Sequence, residues 1–381
     1  MTPSPSARWR PVAVFLAAAA AAFALGAALG VYHLHANDLW SIWSGPRALA
    51  LGHDVYDPAA WDAALRAAGA KRESPVYVYP PWTLAVLAPF GLLTFDAMRV
   101  VWTVGGALAA VAAVGALVHR LRAPAAAAAA AGIALALSAP AITAYFNGQW
   151  GFALTAALAV AVLGARSNAP AGAAGTLVLF LKPQLVALAA PGLLVHAWRA
   201  GSRRFVVASV ATVAIVVLAG AVLSGPGSVE WLRQVPPFIA RNELSDATIA
   251  GLLRADTAAE TTAIGAIALL LGAVALYLLA RRAEWLPTCL AASVALAPHA
   301  RSYDQLVLVV PLLLAGASRT ARARSFALAG WAALVAGSLL LYAVALARGD
   351  ESWSVVTPLA CTAAVAAAAL ADGRRGPPRT A

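Results

Sequence analysis

From Pro11 to Val31 the chain runs about 20 residues without a charged side chain, and comparable Ala/Leu/Val runs recur to its far end. One such run fits inside a soluble core, but a long series of them does not. A bilayer's hydrocarbon layer, about 30 Å thick, asks for about 20 apolar residues per crossing helix. The composition agrees: 62% of the 381 residues are apolar, 11% are charged, and the mean hydropathy is +0.79. Ordinary soluble domains sit near 45–50% and about 25%. A soluble enzyme, a disordered chain and a fibrous protein are excluded. The unbroken runs also exclude a β-barrel, whose strands alternate apolar and polar residues over about ten positions.

The expected fold is therefore all-α, a polytopic membrane bundle forming one domain over 1–381. Twelve spans are placed at 11–31, 97–118, 125–143, 150–165, 171–181, 184–197, 205–223, 263–280, 286–297, 305–317, 325–346 and 355–371. The first is read as a retained helix, because it is longer than the apolar region of a usual signal peptide. Charge tests this layout. With the N-terminus in the cytoplasm, inner segments hold sixteen of the 27 basic residues and only two of the 16 acids, Glu284 and Asp372. The opposite side keeps eleven basic residues and fourteen acids. Every inner segment carries an arginine, as the positive-inside rule requires, and both termini fall inside.

The net charge of +11 is thus explained by topology, since no basic stripe interleaved with aromatics points to nucleic acid. Cys289 and Cys361 fall within apolar runs and read as small buried hydrophobes. Two outer loops are long, 32–96 and 224–262. In the first, Leu39, Ile42, Trp43, Leu49 and Ala50 recur at helical spacing after Asp38, which predicts an amphipathic surface helix. The apolar stretch Pro81–Leu93 is too short to cross, because about 13 residues at 1.5 Å each do not reach 30 Å. It is expected to be interfacial or re-entrant. No internal repeat is evident in the sequence.

Polar residues near membrane depth are costly and call for a reason. Here they gather on the predicted outer side: His33, His35, Asn37 and Asp38; Tyr79; Asn147 and Gln149; Lys182 and Gln184; His299, Arg301, Tyr303 and Asp304. Each has a plain alternative. Asp38 suits a catalytic base or a helix N-cap. Lys182, one of two lysines in the chain, suits anion binding beside Pro183 or snorkelling at a helix end. Arg301 suits a phosphate or a pairing with Asp304. His299 suits a proton carrier, a phosphate donor or a structural hydrogen bond. Asn147-Gly148-Gln149 is a turn or a sugar-hydroxyl site, and Tyr79-Pro80-Pro81-Trp82 is an aromatic anchor or part of the site.

The order of these motifs resembles glycosyltransferase family 87: an Asp after the first helix, Gly52-His53-Asp54-Val55-Tyr56-Asp57, Tyr79-Pro80-Pro81, Asn147-Gly148-Gln149, Lys182-Pro183-Gln184, and Pro298-His299 with Tyr303-Asp304. The resemblance runs over roughly 11–371. It implies a C-type glycosyltransferase fold with surface helices in the first outer loop, a polyprenyl-phosphate-linked sugar donor, and a site facing the outer compartment of the cytoplasmic membrane. It implies that Asp38 is the catalytic acid residue of the first loop and that Lys182 and His299 belong to the family's motifs.

On this basis Asp38 and His299 are expected to be catalytic. Lys182, Arg301 and Tyr303 are expected to hold the donor phosphate, and Asn147, Gln149, Tyr79, Gln184 and Asp304 the sugar or acceptor. The reaction expected is inverting transfer of a hexose, mannose by resemblance, to a lipid or glycan acceptor in cell-envelope synthesis. A lipid phosphate already leaves as a stable anion, so one base suffices where a glycosidase uses two carboxylates. With no paired acids to clamp a nucleotide diphosphate, neither a metal nor a cofactor is expected. The competing reading is a secondary transporter or flippase, which usually carries its polar groups near the midplane on repeated, broken helices.

Overall fold

A computed structural model describes residues 5–32, 38–67, 69, 77–242, 246–255, 257–281 and 283–373. His33, His35 and Asn37 lie outside the described residues, as do Arg282, Arg374, Arg375 and Arg379 among the arginines that set the topology. The described residues form helices and no strand. In chain order these are α1 (Pro5–Ala28), α2 (Leu39–Ala50), α3 (Pro58–Ala67), α4 (Pro81–Leu87), α5 (Phe95–Leu121), α6 (Ala125–Leu137), α7 (Ala139–Asn147), α8 (Gly151–Ser167), α9 (Ala173–Leu179) and α10 (Ala189–Arg199). They continue with α11 (Arg203–Ser224), α12 (Gly227–Asn242), α13 (Ile249–Leu252), α14 (Ala258–Ala280), α15 (Leu286–Ala295), α16 (Val309–Gly316), α17 (Ala321–Ala332), α18 (Ser338–Arg348) and α19 (Val356–Asp372).

Seven helical stretches among the described residues are long and apolar enough to cross a membrane: Trp9–Ala28, Phe95–Leu121, Ala125–Asn147, Arg203–Ser224, Ala259–Ala280, Ala321–Arg348 and Ser352–Asp372. These coincide with seven of the twelve expected spans. The other five expectations, at 150–165, 171–181, 184–197, 286–297 and 305–317, fall on shorter helices. Of these, α8 is 17 residues, about 25 Å at 1.5 Å per residue. The remaining four are halves. α15, with 10 residues, reaches only about 15 Å, half the hydrocarbon thickness.

The four halves pair into two hairpins. In the first, α9 rises and α10 returns, and the break falls at Lys182-Pro183. Pro183 lacks the N–H a helix would need and drives Lys182 out of helical geometry, to φ −126° and ψ 73°. In the second, α15 rises and the 3₁₀ turn Ser302–Leu308 leads into α16, with Pro298 in the connection. The feet of both hairpins share one end of the molecule with the other arginine-rich segments. His196 Nδ1 lies 3.6 Å from Glu284 Oε1, and Arg166 sits in the field of Arg120 and Glu284. At the same end Trp9 stacks on His119 at 4.3 Å, and Ser318 Oγ donates to Asp372 Oδ1 at 2.7 Å. A re-entrant hairpin leaves and returns on one side, so the arginine-rich segments stay together although four expected crossings become two hairpins.

The path recurs. A helix runs toward the arginine-rich end (α8), a half-length hairpin follows, and a long helix runs back (α11). The same order is repeated by α14, the second hairpin and α17–α18.

Small residues set the hairpins close to their neighbours. A Cβ on Gly175 of α9 would overlap the carbonyl oxygen of Ala157 on α8, and one on Gly192 of α10 would overlap Cys289 Sγ on α15. The expected surface helix is present as α2, and its apolar face is buried against protein. Trp43 Nε1 donates to the Leu93 carbonyl at 3.0 Å, and Trp40 stacks on Phe95 at 3.6 Å. Pro81–Leu92 is a short apolar helix lying against α11, where Gly220 makes room for the Trp82 backbone. Cys289 and Cys361 are free and buried.

Gly175→Ala is expected to lower stability by about 1–3 kcal/mol, because the added methyl overpacks the α8–α9 contact. Gly105→Ala meets open space on α5 and should be neutral or stabilising by up to about 1 kcal/mol. Thermal unfolding midpoints in detergent check the pair.

Candidate active site

The two hairpin tips meet. Lys182 Nζ donates to Asp304 Oδ1 at 2.7 Å, and both side chains are almost completely buried, at 7% and 0% exposure. The second Asp304 oxygen accepts the Arg301 backbone N–H at 3.1 Å. The Lys182 ammonium also stands 4.9 Å from the centre of the Tyr303 ring. Lys182 is therefore neither a snorkelling lysine nor a free cation. It ties one tip to the other.

Asp38 arrives from the opposite direction, at the start of α2. It occupies the N-cap position, but its side chain caps nothing. The carboxylate is instead hydrogen-bonded to the Gln149 side chain and lies in the fields of Arg301, Lys182 and Asp304. Burial pushes its pKa above the ordinary carboxylate range. The Gln149 bond and the two cations pull it back only in part, and Asp304 adds to the rise. Gln149 is placed by the turn before it. Gly148 ends α7 in the left-handed region, at φ 66°, where a side chain is strained, and a Cβ there would stand 2.9 Å from Leu39 Cβ. The turn is thus pressed against the first residue of α2, next to Asp38.

Tyr79 closes another side. Its hydroxyl lies beside Trp150 and Gln149, and burial raises its pKa. Its carbonyl accepts the Tyr56 hydroxyl at 2.9 Å. Gly151, where a Cβ would stand 2.6 Å from the Tyr303 carbonyl oxygen, lets α8 approach the second tip.

Arg301 does not use its side chain on Asp304, the partner suggested by sequence spacing. Its Nε lies 2.8 Å from Asp246 Oδ1, and the other Asp246 oxygen contacts His299 Nδ1. Burial works against the guanidinium charge, but Asp246, Tyr303, Glu351 and Asp38 outweigh it and raise its pKa. Glu351 also accepts the Ser302 N–H at 2.9 Å. Asp246 and Glu351 were not singled out in the sequence. They lie in loops more than 45 residues from the tip they join, each near another acid in sequence (Glu243, Asp350), and only the fold brings them there. An acid in a polar loop, near another acid, gives no signal of its own.

Ten residues were expected at the site. The structure brings Asp38, Tyr79, Gln149, Lys182, Arg301, Tyr303 and Asp304 into one cluster, with His299 joined through Asp246. Asn147 and Gln184 are half-buried on the adjoining turns and do not enter the ion-pair network among the described residues. Arg301 and His299 are the more open members, at 29% and 25% exposure against 0% for Asp246. Near the first tip is a cavity of about 10 Å³, lined by aliphatic side chains including Leu154, Leu179, Leu185 and Val307. It is no larger than a water molecule. Among the described residues no group of three or more His, Cys, Asp or Glu side chains is arranged to hold a metal ion.

A multi-pass membrane protein with a buried, charged site at the tips of broken helices is the class this fold defines. The family model of glycosyltransferase family 87 matches residues 77–298, more than half the chain. The protein belongs to that family and is a membrane glycosyltransferase. No curated protein and no solved structure matches it. The match contains Tyr79, Asn147, Gln149, Lys182 and Gln184. Asp38 lies before it, and His299, Arg301, Tyr303 and Asp304 lie just past its end, so their place rests on geometry.

Lys182→Met should cost about 3–5 kcal/mol by leaving Asp304 charged, buried and unpaired. Adding Asp304→Leu should recover much of that loss, since an apolar pair of similar volume often replaces a buried ion pair at no cost. Thermal unfolding of the two variants measures the difference.

Proposed function

We propose that the protein transfers a hexose, mannose in the closest reading, from a polyprenyl phosphate to an acceptor hydroxyl at the outer face of the cytoplasmic membrane. The observation that carries this is the half-buried Asp38 carboxylate, held by Gln149 and set beside the cations Arg301 and Lys182. A base and an anion site in one small volume are what attack on a sugar phosphate requires.

Asp38 takes the proton from the acceptor hydroxyl as that oxygen attacks the anomeric carbon. The bond to the phosphate oxygen breaks on the opposite face, and the electron pair leaves with the lipid phosphate. One displacement inverts the anomeric centre, so a β-linked donor gives an α-linked product. Arg301, the more open of the two cations, meets the phosphate directly. Lys182, already paired with Asp304, contributes through its field and by holding the tip. Fixed charges in a water-poor site stabilise a developing anion without reorganising. Gln149 and Tyr79 are placed to receive sugar hydroxyls. The acceptor is a lipid or glycan of the cell envelope, and neither metal nor cofactor enters.

The arginine-rich end belongs in the cytoplasm by the positive-inside rule. With two re-entrant hairpins in place of four crossings, the count of crossings keeps its parity, which supports both termini inside and the site facing outward. Half-length arms of about 15 Å recess the site below the outer surface, within reach of a donor whose lipid tail lies in the bilayer.

Asp38→Asn should reduce transfer by about 10³-fold, within the range for loss of a general base, while the protein stays folded and binds the donor. A carboxylate with a raised pKa takes up its proton at a higher pH than usual. Activity should therefore fall, as pH drops, above the ordinary aspartate range near 3.9. Transfer of radiolabelled polyprenyl-phosphate mannose to a lipid extract, followed against pH, checks both. Undiminished transfer by Asp38→Asn removes Asp38 from the chemistry.

A further inference from the structure

We infer that Asp246, from the second large outer loop, is the positioning residue that makes Arg301 and His299 into one fixed anion grip for the lipid phosphate. The inference rests on the transferase reading above and adds a residue to it. Arg301 is extended, at φ −114° and ψ 165°, and Ala300 before it is buried. His299 and Arg301 both reach Asp246, while Ala300 between them turns into the core. The wholly buried Asp246 carboxylate takes one of them on each oxygen, Arg301 through Nε and His299 through Nδ1. That leaves the two terminal nitrogens of Arg301 and Nε2 of His299 unclaimed by Asp246. The Arg301 nitrogens always carry protons for phosphate oxygens, and Nε2 of His299 carries one when the imidazole is protonated.

Asp246 is itself fixed. The Ala247 N–H donates to the Ala300 carbonyl at 3.0 Å, which clips the loop to the tip between the two gripped side chains. Thr248 then caps α13, its Oγ1 accepting the Gly251 N–H at 3.0 Å. Arg301 also lies in the field of Asp38, so the grip sits beside the base.

Charge and geometry predict opposite effects for Asp246→Asn. If Asp246 only lowered the local positive charge, removing it would tighten anion binding. If it positions the grip, binding weakens although the site becomes more positive. We expect about a tenfold rise in KM for the donor and about tenfold weaker inhibition by polyprenyl phosphate, the lower end of what losing an outer-shell positioning partner costs, with a smaller change in kcat. Unchanged or tighter binding of polyprenyl phosphate by the folded variant overturns the inference. If Asp246→Asn does not fold, Asp246→Glu carries the same test, because it keeps the charge and displaces the carboxylate.

A second readout needs no sugar transfer. Phenylglyoxal modification of Arg301, followed by peptide mass, should be slowed by polyprenyl phosphate in the wild type and not in the variant. Wild-type protein that transfers sugar without this shielding overturns the inference alone. Shielding without any transfer removes the transferase reading and leaves the role of Asp246 standing.

Discussion

The ion pair between Lys182 and Asp304 is the contact on which the site depends. Each residue sits at the tip of a hairpin too short to cross a membrane, and the pair joins the two tips at 2.7 Å. Two buried charges lose several kcal/mol of hydration each, a cost recovered only when geometry is good and the remaining polar atoms are satisfied. Here they are well served. Asp304 takes Lys182 on one oxygen and the Arg301 N–H on the other, and Lys182 stands over the Tyr303 ring. The same bonds that offset desolvation fix the backbone from which Arg301 projects. Stability and the placement of the site are supplied by one set of contacts.

Around that pair the charges are arranged in layers. Asp304 and Lys182 neutralise each other in the interior, and Asp246 faces Arg301 and His299 one step further out. Among the described residues Asp38 has no ion-pair partner of its own, and the Gln149 side chain is its hydrogen-bond partner. Burial therefore raises its pKa, and the nearby cations offset that only in part. A carboxylate held tightly by an arginine would be a poor base, because the cation stabilises the charged form it must give up. A base benefits from cations close enough to keep it ionised and not so close that they hold its electron pair.

Much of this was legible in the residues. The seven long spans follow from run length, and the α2 helix from the spacing of Leu39, Ile42 and Trp43. The gathering of Asp38, Gln149, Lys182 and Arg301 follows from the cost of placing such residues near lipid. Hairpins were less visible. A break at Lys182-Pro183 reads equally well as a loop between two crossings, and hydropathy does not distinguish a half-helix buried in protein from a short span in lipid. The pairing of charges was not visible at all. Sequence proximity suggests Arg301 with Asp304, four-atom geometry gives Arg301 to Asp246, and a loop acid fifty residues upstream announces itself by nothing in its own neighbourhood.

The half-length hairpins also bear on how the chain is built. A segment such as α15 leaves backbone groups at its inner end that hydrocarbon cannot satisfy, so it has no stable resting place in lipid by itself. It can settle only against walls already raised by the long helices. The pairing of Lys182 with Asp304 therefore depends on the spans that shelter both hairpins. The centre is thus complete only when both hairpins have docked and their tips have met.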